Sequence, residues 1–304
     1  MFIGDNVKVG IIGGGAVGLL FGYYLSQNHN VTIFTRTVEQ ATVLGKEGIT
    51  VCSENLAKTR KVSAEVSRDM IKNQDFIIVA MKQYHFSTLN LPDILPSDIP
   101  ILFIQNGMGH LSLMEQMSNE KIFVGTVEHG VRKVNSTTVE HTGIGQTNVA
   151  IYRGVEADFT DFPLSRDYHF PFEIKKEYEV MLISKLLANA VINPLTAIFQ
   201  VKNGELITNP YYFSVSEQLF DEIVSVFPTV NKEQSFLHIK QICLQTRNNT
   251  SSMLKDIISG GKTEIDAILG YIMEEGNKVG NDMPLTSAVY NMIKGMEYRG
   301  GIEK

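Results

Sequence analysis

Two cysteines in 304 residues, Cys52 and Cys243, supply neither a disulfide framework nor a metal-ligand spacing, and they point to a reducing compartment. Positive charge is also short. The chain has 27 Lys and Arg against 33 Asp and Glu, a net charge of −6. That balance argues against a nucleic-acid partner, which needs a basic face. No uncharged apolar run reaches 18 residues, and residues 1–6 offer no basic stretch ahead of the first apolar segment, so neither a membrane span nor an export signal is expected. What is present is ordinary for a globular protein: 43% hydrophobic and 20% charged residues, over a length sufficient for two domains. The expectation is a soluble, cytoplasmic protein.

Residues 7–12 (VKVGII) read as a short apolar strand that runs directly into Gly13-Gly14-Gly15-Ala16-Val17-Gly18. A helix at 19–27 and a second strand at 30–35 (NVTIFT) follow. The glycine triad therefore stands where a dinucleotide-binding loop must: Gly13 for the tight turn, Gly15 for approach of a pyrophosphate, and Gly18 for close packing of helix on strand. The second strand ends in Thr35-Arg36-Thr37. An acid there would bond a ribose 2′-hydroxyl, whereas a guanidinium suits a 2′-phosphate, so Arg36 points to NADP.

Further strands at 75–81, 99–105 and 121–126, with helical segments between, predict a mostly parallel, doubly wound Rossmann-type sheet. Lys82 follows one of these strands and Asn106-Gly107-Met108-Gly109 another, at the ends where such sheets bind ligands. Alternatively, Lys82 is a surface lysine and Asn106-Gly107 a turn. The alternation over 131–153 suggests antiparallel strands closing the sheet edge. The polar stretch 158–166 sets a domain boundary near Pro171, giving a dinucleotide-binding domain at 1–171 and an all-α domain at 172–304.

Within the second domain, 180–196 (VMLISKLLANAVINPLT) is almost continuously apolar, yet Lys185, Asn189 and Asn193 recur every four residues and share one helix face. The remaining faces, from Val180 to Ile192, should be buried nearly all round. Pro194 is expected to kink or end the helix at Asn193. The stripe is either a structural polar seam or a row of donors facing a polar ligand. Other helices are expected at 210–226, 231–247, 251–258, 264–277 and 284–298. Asn249 to Leu254 reads as a helix start, its hydroxyls either capping that helix or facing a ligand. Thr263 and Asp266 read as a capping-box variant, which leaves Glu264 available for other work.

These residues together resemble the ketopantoate reductase family. The matching pieces are GGGAVG, Arg36, Met81-Lys82, QNGMG from Gln105, KLLANAVINPLTA from Lys185, NNTSSMLKD from Asn249 and KTEIDAILG from Lys262. The resemblance implies NADPH-dependent reduction of ketopantoate to pantoate, with a small 2-oxo acid as substrate and a homodimer as an open alternative to the monomer. It implies that Lys185 is the general acid and that Asn189, Asn193, Asn249 and Ser252 hold the substrate. Glu264 completes the site, while Asn106, Lys82 and Arg36 hold the cofactor. A lysine in apolar surroundings is also of the type whose pKa burial lowers toward working pH. The alternatives are a reductase of another 2-oxo acid and a non-catalytic NADP sensor.

Overall fold

The computed structural model describes residues 6–53, 56–163, 165 and 167–299; Arg166, at the end of the expected polar stretch, lies outside them. The chain divides into two compact units, Met1–Gln105 with Leu111–Met181, and Asn106–His110 with Leu182–Lys304.

The strands of the first unit are β1 (Lys8–Ile12), β2 (Asn30–Phe34), β3 (Ile49–Ser53), β4 (Leu56–Arg60), β5 (Ser63–Glu65), β6 (Phe76–Val79), β7 (Ile101–Phe103), β8 (Ile122–Val127), β9 (Gly130–Lys133), β10 (Thr138–Gly143), β11 (Thr147–Arg153) and β12 (Phe172–Ile174). Eight of them make one sheet in the order β12-β11-β8-β7-β6-β1-β2-β5. From β8 to β5 every pairing is parallel, with β1 central and Ile11 in register with Ile33 and Ile78. Central parallel strands are covered on both faces, so they read as unbroken apolar runs, and all four residues of β6 are buried. β11 pairs antiparallel with β8, and β12 lies parallel to β11 just after Pro171.

One strand expectation is corrected here. Of the region 131–153 only β11 enters the large sheet, and β12 lies beyond it at the edge. β9 and β10 join β3 and β4 in a separate sheet of order β4-β3-β10-β9. Between β2 and β6, where the sequence pattern predicts no strand, the chain forms one helix and then β3, β4 and β5. β4 (LAKTR) is exposed along almost its whole length, so it has no apolar alternation to reveal it.

The unit's helices are α1 (Ala16–Leu25), α2 (Val38–Glu47), α3 (Leu91–Ile94) and α4 (Leu111–Glu115). α1 touches β1 and β2 of the large sheet and β3, β9 and β10 of the small one. Gly18 to Leu25 are accordingly all buried, as a helix that is apolar on every side requires. Beside α1, the Phe170 ring stacks on Tyr24 and on His129 and meets Phe21 edge-on. The Tyr24 hydroxyl bonds His141 Nδ1 at 2.9 Å, and His141 Nε2 meets His129 Nδ1 at 3.2 Å. His129 Nδ1 also accepts from the Gly145 amide at 3.2 Å, so it is an acceptor and His141 Nε2 must be the donor. Burial, followed by the neighbouring His141, pushes His129 down to about 4, and burial likewise lowers His141.

The second unit is helical, from α5 (Tyr178–Phe199), whose first residues belong to the first unit, through α6 (Glu205–Thr208), α7 (Pro210–Val224), α8 (Lys232–Gln245), α9 (Ser252–Ile258) and α10 (Tyr271–Lys278) to α11 (Pro284–Arg299). A π-helical turn at Asp266–Gly270 leads into α10, closed by the Tyr271 amide donating to the Asp266 carbonyl five residues back. By length and composition alone α5 could cross a bilayer, but 67% of its apolar window is buried inside the protein, as in a core helix. Val180 is an exception, at 61% exposed.

Pro194 does not end α5, which continues to Phe199. Just beyond the proline, Thr196 Oγ1 donates within the helix, 2.6 Å from the Ile192 carbonyl and 3.1 Å from that of Asn193. The same hydroxyl lies 2.8 Å from Ser251 Oγ. The carbonyl that loses its donor to Pro194 is that of Ala190, four residues back, and the Thr196 hydroxyl adds a second contact to the turn around the proline.

Candidate active site

In the first unit the glycine loop joins β1 to α1. A Cβ on Gly18 would lie 1.9 Å from the Gly13 carbonyl oxygen, so only glycine lets the helix start this close to the strand end. A Cβ on Gly15 would meet nothing within 4 Å, so the backbone there faces open space. Gly15 is the N-cap of α1, makes no side-chain cap bond and is followed by no acid in the first turn. The amides of Ala16, Val17 and Gly18 open that turn, and together with the open surface at Gly15 they fit an anionic pyrophosphate.

Arg36 is exposed at a braced corner. Thr35 Oγ1 donates to the Thr37 carbonyl at 2.9 Å, and Thr37 Oγ1 caps α2 by accepting from the Gln40 amide at 3.3 Å. Lys82 caps a 3-10 turn after β6, its ammonium 5.8 Å from the Tyr84 ring centroid. Nearby, Gln105 Nε2 donates to the Val79 and Met81 carbonyls and ties the end of β7 to that of β6.

The second unit gathers three of the expected site residues. Asn106 Nδ2 donates to Glu264 Oε2 at 2.8 Å, and Asn106 Oδ1 faces Asn189 Nδ2 at 3.5 Å, the outer limit of a hydrogen bond. These partners fix which end of the Asn106 amide is which. Gly107 holds the loop in place: its φ is +78°, and an added Cβ would fall 2.0 Å from the Ala267 carbonyl oxygen in the π-helical turn. The Asn106-Gly107 loop therefore rests directly on the turn that follows Glu264. Lys185 and Asn189, one helical turn apart on α5, are half-buried, and Asn193 is buried.

Ser252 opens α9 and is exposed, as is Asn249, whose carbonyl accepts from the Asn203 amide. The helix cap is Ser251, whose Oγ accepts from the Leu254 amide at 3.1 Å. Thr263 and Asp266 do not form the expected capping box. Thr263 donates from both its amide and its hydroxyl to Glu297 Oε1 at 2.7 Å, while Asp266 is taken by Tyr290 and Lys294. Glu297, beyond reach of a motif that spans four residues, displaces the local partner. Thr196 extends the Lys185-Asn189-Asn193 face by a further three positions, and its hydroxyl reaches Ser251 rather than a local partner alone.

A glycine-loop Rossmann sheet followed by an all-helical unit with an Asn-Asn-Glu cluster defines the class of two-part, dinucleotide-binding folds. The profile described as ketopantoate reductase PanE/ApbA matches residues 9–154, and its C-terminal counterpart matches 178–297. The chain belongs to the ketopantoate reductase family. It is 38% identical over 295 residues to the 2-dehydropantoate 2-reductase of Bacillus subtilis, covering 96% of this chain and 98% of that one. It is 37% identical over 297 residues to the enzyme of the same name from Listeria monocytogenes, with the same coverage of 96% and 98%. The crystal structure of probable 2-dehydropantoate 2-reductase panE from Bacillus subtilis superposes with a TM-score of 0.87 at 37% identity, over 96% of this chain and all of that one. A D-mandelate dehydrogenase solved with NADH and anilino(oxo)acetate shares the fold, at a TM-score of 0.84 and 20% identity over 97% of this chain and 100% of its own.

Proposed function

We propose that this chain is an oxidoreductase that reduces 2-dehydropantoate (ketopantoate) to (R)-pantoate with NADPH, a cytoplasmic step of pantothenate biosynthesis. Similarity over nearly the whole length to relatives named for this reaction supports the reading. The observation that carries it is the Glu264–Asn106–Asn189 cluster, which brings a loop amide and a carboxylate from two other segments to the helix that bears Lys185.

The amides of Ala16, Val17 and Gly18, with Gly13, Gly14 and Gly15, would hold the pyrophosphate of the cofactor. Arg36 would hold its 2′-phosphate, and Lys82 and Asn106 its remaining polar groups. When bound, the nicotinamide supplies a hydride to the carbonyl carbon of the keto acid. Negative charge then develops on the carbonyl oxygen, and the Lys185 ammonium stabilises it and delivers the proton that completes the alcohol. Asn189 and Asn193 orient the substrate's oxygens, with Ser252 and Asn249 at its far end. Glu264 fixes the Asn106 amide in one orientation.

The test is loss of NADPH absorbance on adding ketopantoate, run beside acetolactate, 2-oxoisovalerate and pyruvate. Fast oxidation with ketopantoate and slow oxidation with the others is expected. Preference for another 2-oxo acid would move the chain to a sister activity, and no oxidation with any would leave a cofactor-binding protein without this chemistry.

A further inference from the structure

Two elements of the first unit converge on one carbonyl of the glycine loop. Lys133, at the end of β9, donates from Nζ to the Gly14 carbonyl oxygen at 2.7 Å. Gln40, in the first turn of α2, donates to the same oxygen at 2.8 Å and to the Ser136 carbonyl, in the β9–β10 turn, at 2.9 Å. The β9–β10 hairpin is thereby anchored to the glycine loop and to the corner that carries Arg36.

Lys133 thus meets the glycine loop beside Gln40, whose backbone amide also bonds the Thr37 hydroxyl next to Arg36. Desolvation, and after it the Arg36 charge, lowers the Lys133 pKa from the ordinary lysine value. Among the described residues neither Arg36 nor Lys133 has a carboxylate partner. Like charges held together without an acid cost free energy in the empty protein and favour binding of an anion that lies against both. One Lys133 N–H goes to Gly14; an ammonium has two more, and the guanidinium has five in a planar fork. Such a donor set matches the three terminal oxygens of a phosphomonoester better than it matches a single ribose hydroxyl.

We infer that Lys133, brought from the small sheet, joins Arg36 to form a two-cation subsite for the 2′-phosphate of NADPH, so that dinucleotide selectivity is read from two sheets at once. This rests on the proposed cofactor reading and adds a specificity residue outside the β2 corner. The competing explanation is that Lys133 is a neutral brace whose only task is to hold the Gly14 carbonyl.

The two differ in what they do to NADH. Dissociation constants for NADPH and NADH, taken from quenching or enhancement of nucleotide fluorescence, would be compared for the wild type and for K133M, K133R and R36M, with melting curves to verify folding. The expected result is that K133M weakens NADPH by about 10- to 100-fold, the worth of a charge-assisted contact. NADH should change less than twofold, and K133R should retain most of the NADPH affinity. Equal losses for both nucleotides would make Lys133 a brace, and no loss for either would make it a surface lysine; both outcomes overturn the inference. If R36M loses selectivity and K133M does not, the inference fails while the cofactor reading stands. If the wild type itself does not prefer NADPH, both fall.

Discussion

Asn106 and Glu264, 158 positions apart in sequence, are joined by a 2.8 Å hydrogen bond from the amide to the carboxylate. Removing the acceptor leaves a half-buried N–H without a partner, at a cost of about 1–3 kcal/mol. Glu264→Leu should therefore lower stability by about that amount in urea denaturation and raise KM for the keto acid. Glu264→Gln, which keeps an oxygen in place, should recover most of the stability.

Lys185→Ala should leave NADPH binding nearly unchanged and lower kcat on the order of 10²–10⁴-fold, the usual contribution of a positioned acid. Nucleotide titration alongside steady-state rates checks both halves. A near-normal rate would remove Lys185 from the chemistry.

Gly107→Ala must either displace the Ala267 carbonyl, 2.0 Å from the new methyl, or abandon φ +78°. Left-handed backbone alone costs about 1–2 kcal/mol in a non-glycine residue, and the overlap adds to it. A loss of at least about 2 kcal/mol is expected by thermal melting, together with lower activity because the loop carries Asn106.

Stability should fall in mild acid. Burial holds His110 and His129 down at about 4, so both are neutral in the folded chain at pH 6, and burial shifts His141 in the same direction. The unfolded chain, with histidines near pKa 6.5, binds more protons below that pH, so stability is full above it and declines as pH falls toward about 4. Each such group costs roughly 1.4 kcal/mol per pH unit within that window. Urea midpoints at pH 7.5 and 5.5 check this, and equal midpoints would contradict burial of neutral imidazoles.

The Thr196–Ser251 contact at 2.8 Å should couple α5 to the start of α9. Thr196→Val and Ser251→Ala should each cost about 0.5–2 kcal/mol. Together they should cost less than the sum, because each alone already breaks the shared bond. Strict additivity in a double-mutant cycle would show that the hydroxyls act separately.

Patterns confined to a short stretch of chain were readable before any coordinates. The Gly13 to Gly18 loop between strand and helix was one, and the 3.6-residue period of α7, α8 and α11 was another. What escaped depended on distant partners. The stretch that holds β9 and β10 alternates polar and apolar residues, but alternation does not say which sheet they join, and β10 pairs with β3, nearly ninety positions earlier. Pro194 carries a valid stop signal, yet burial of Leu195 and Ala197 and the Thr196 hydroxyl bonds sustain the helix beyond it. Thr263 and Asp266 have capping-box spacing, but Glu297, Tyr290 and Lys294 outcompete the local arrangement. Asn106, Asn189 and Glu264 were each visible as candidates, but their mutual bonding was not.

The widened turn at Asp266–Gly270 fixes spacing more tightly than composition. Deleting one residue there would restore an ordinary α-helix and rotate everything on one side by about 100° relative to the other. Either Glu264 would swing off Asn106, or Ile272 would leave the interior. Substitutions can drift in this segment, whereas a change in its length would put the carboxylate and the core out of phase.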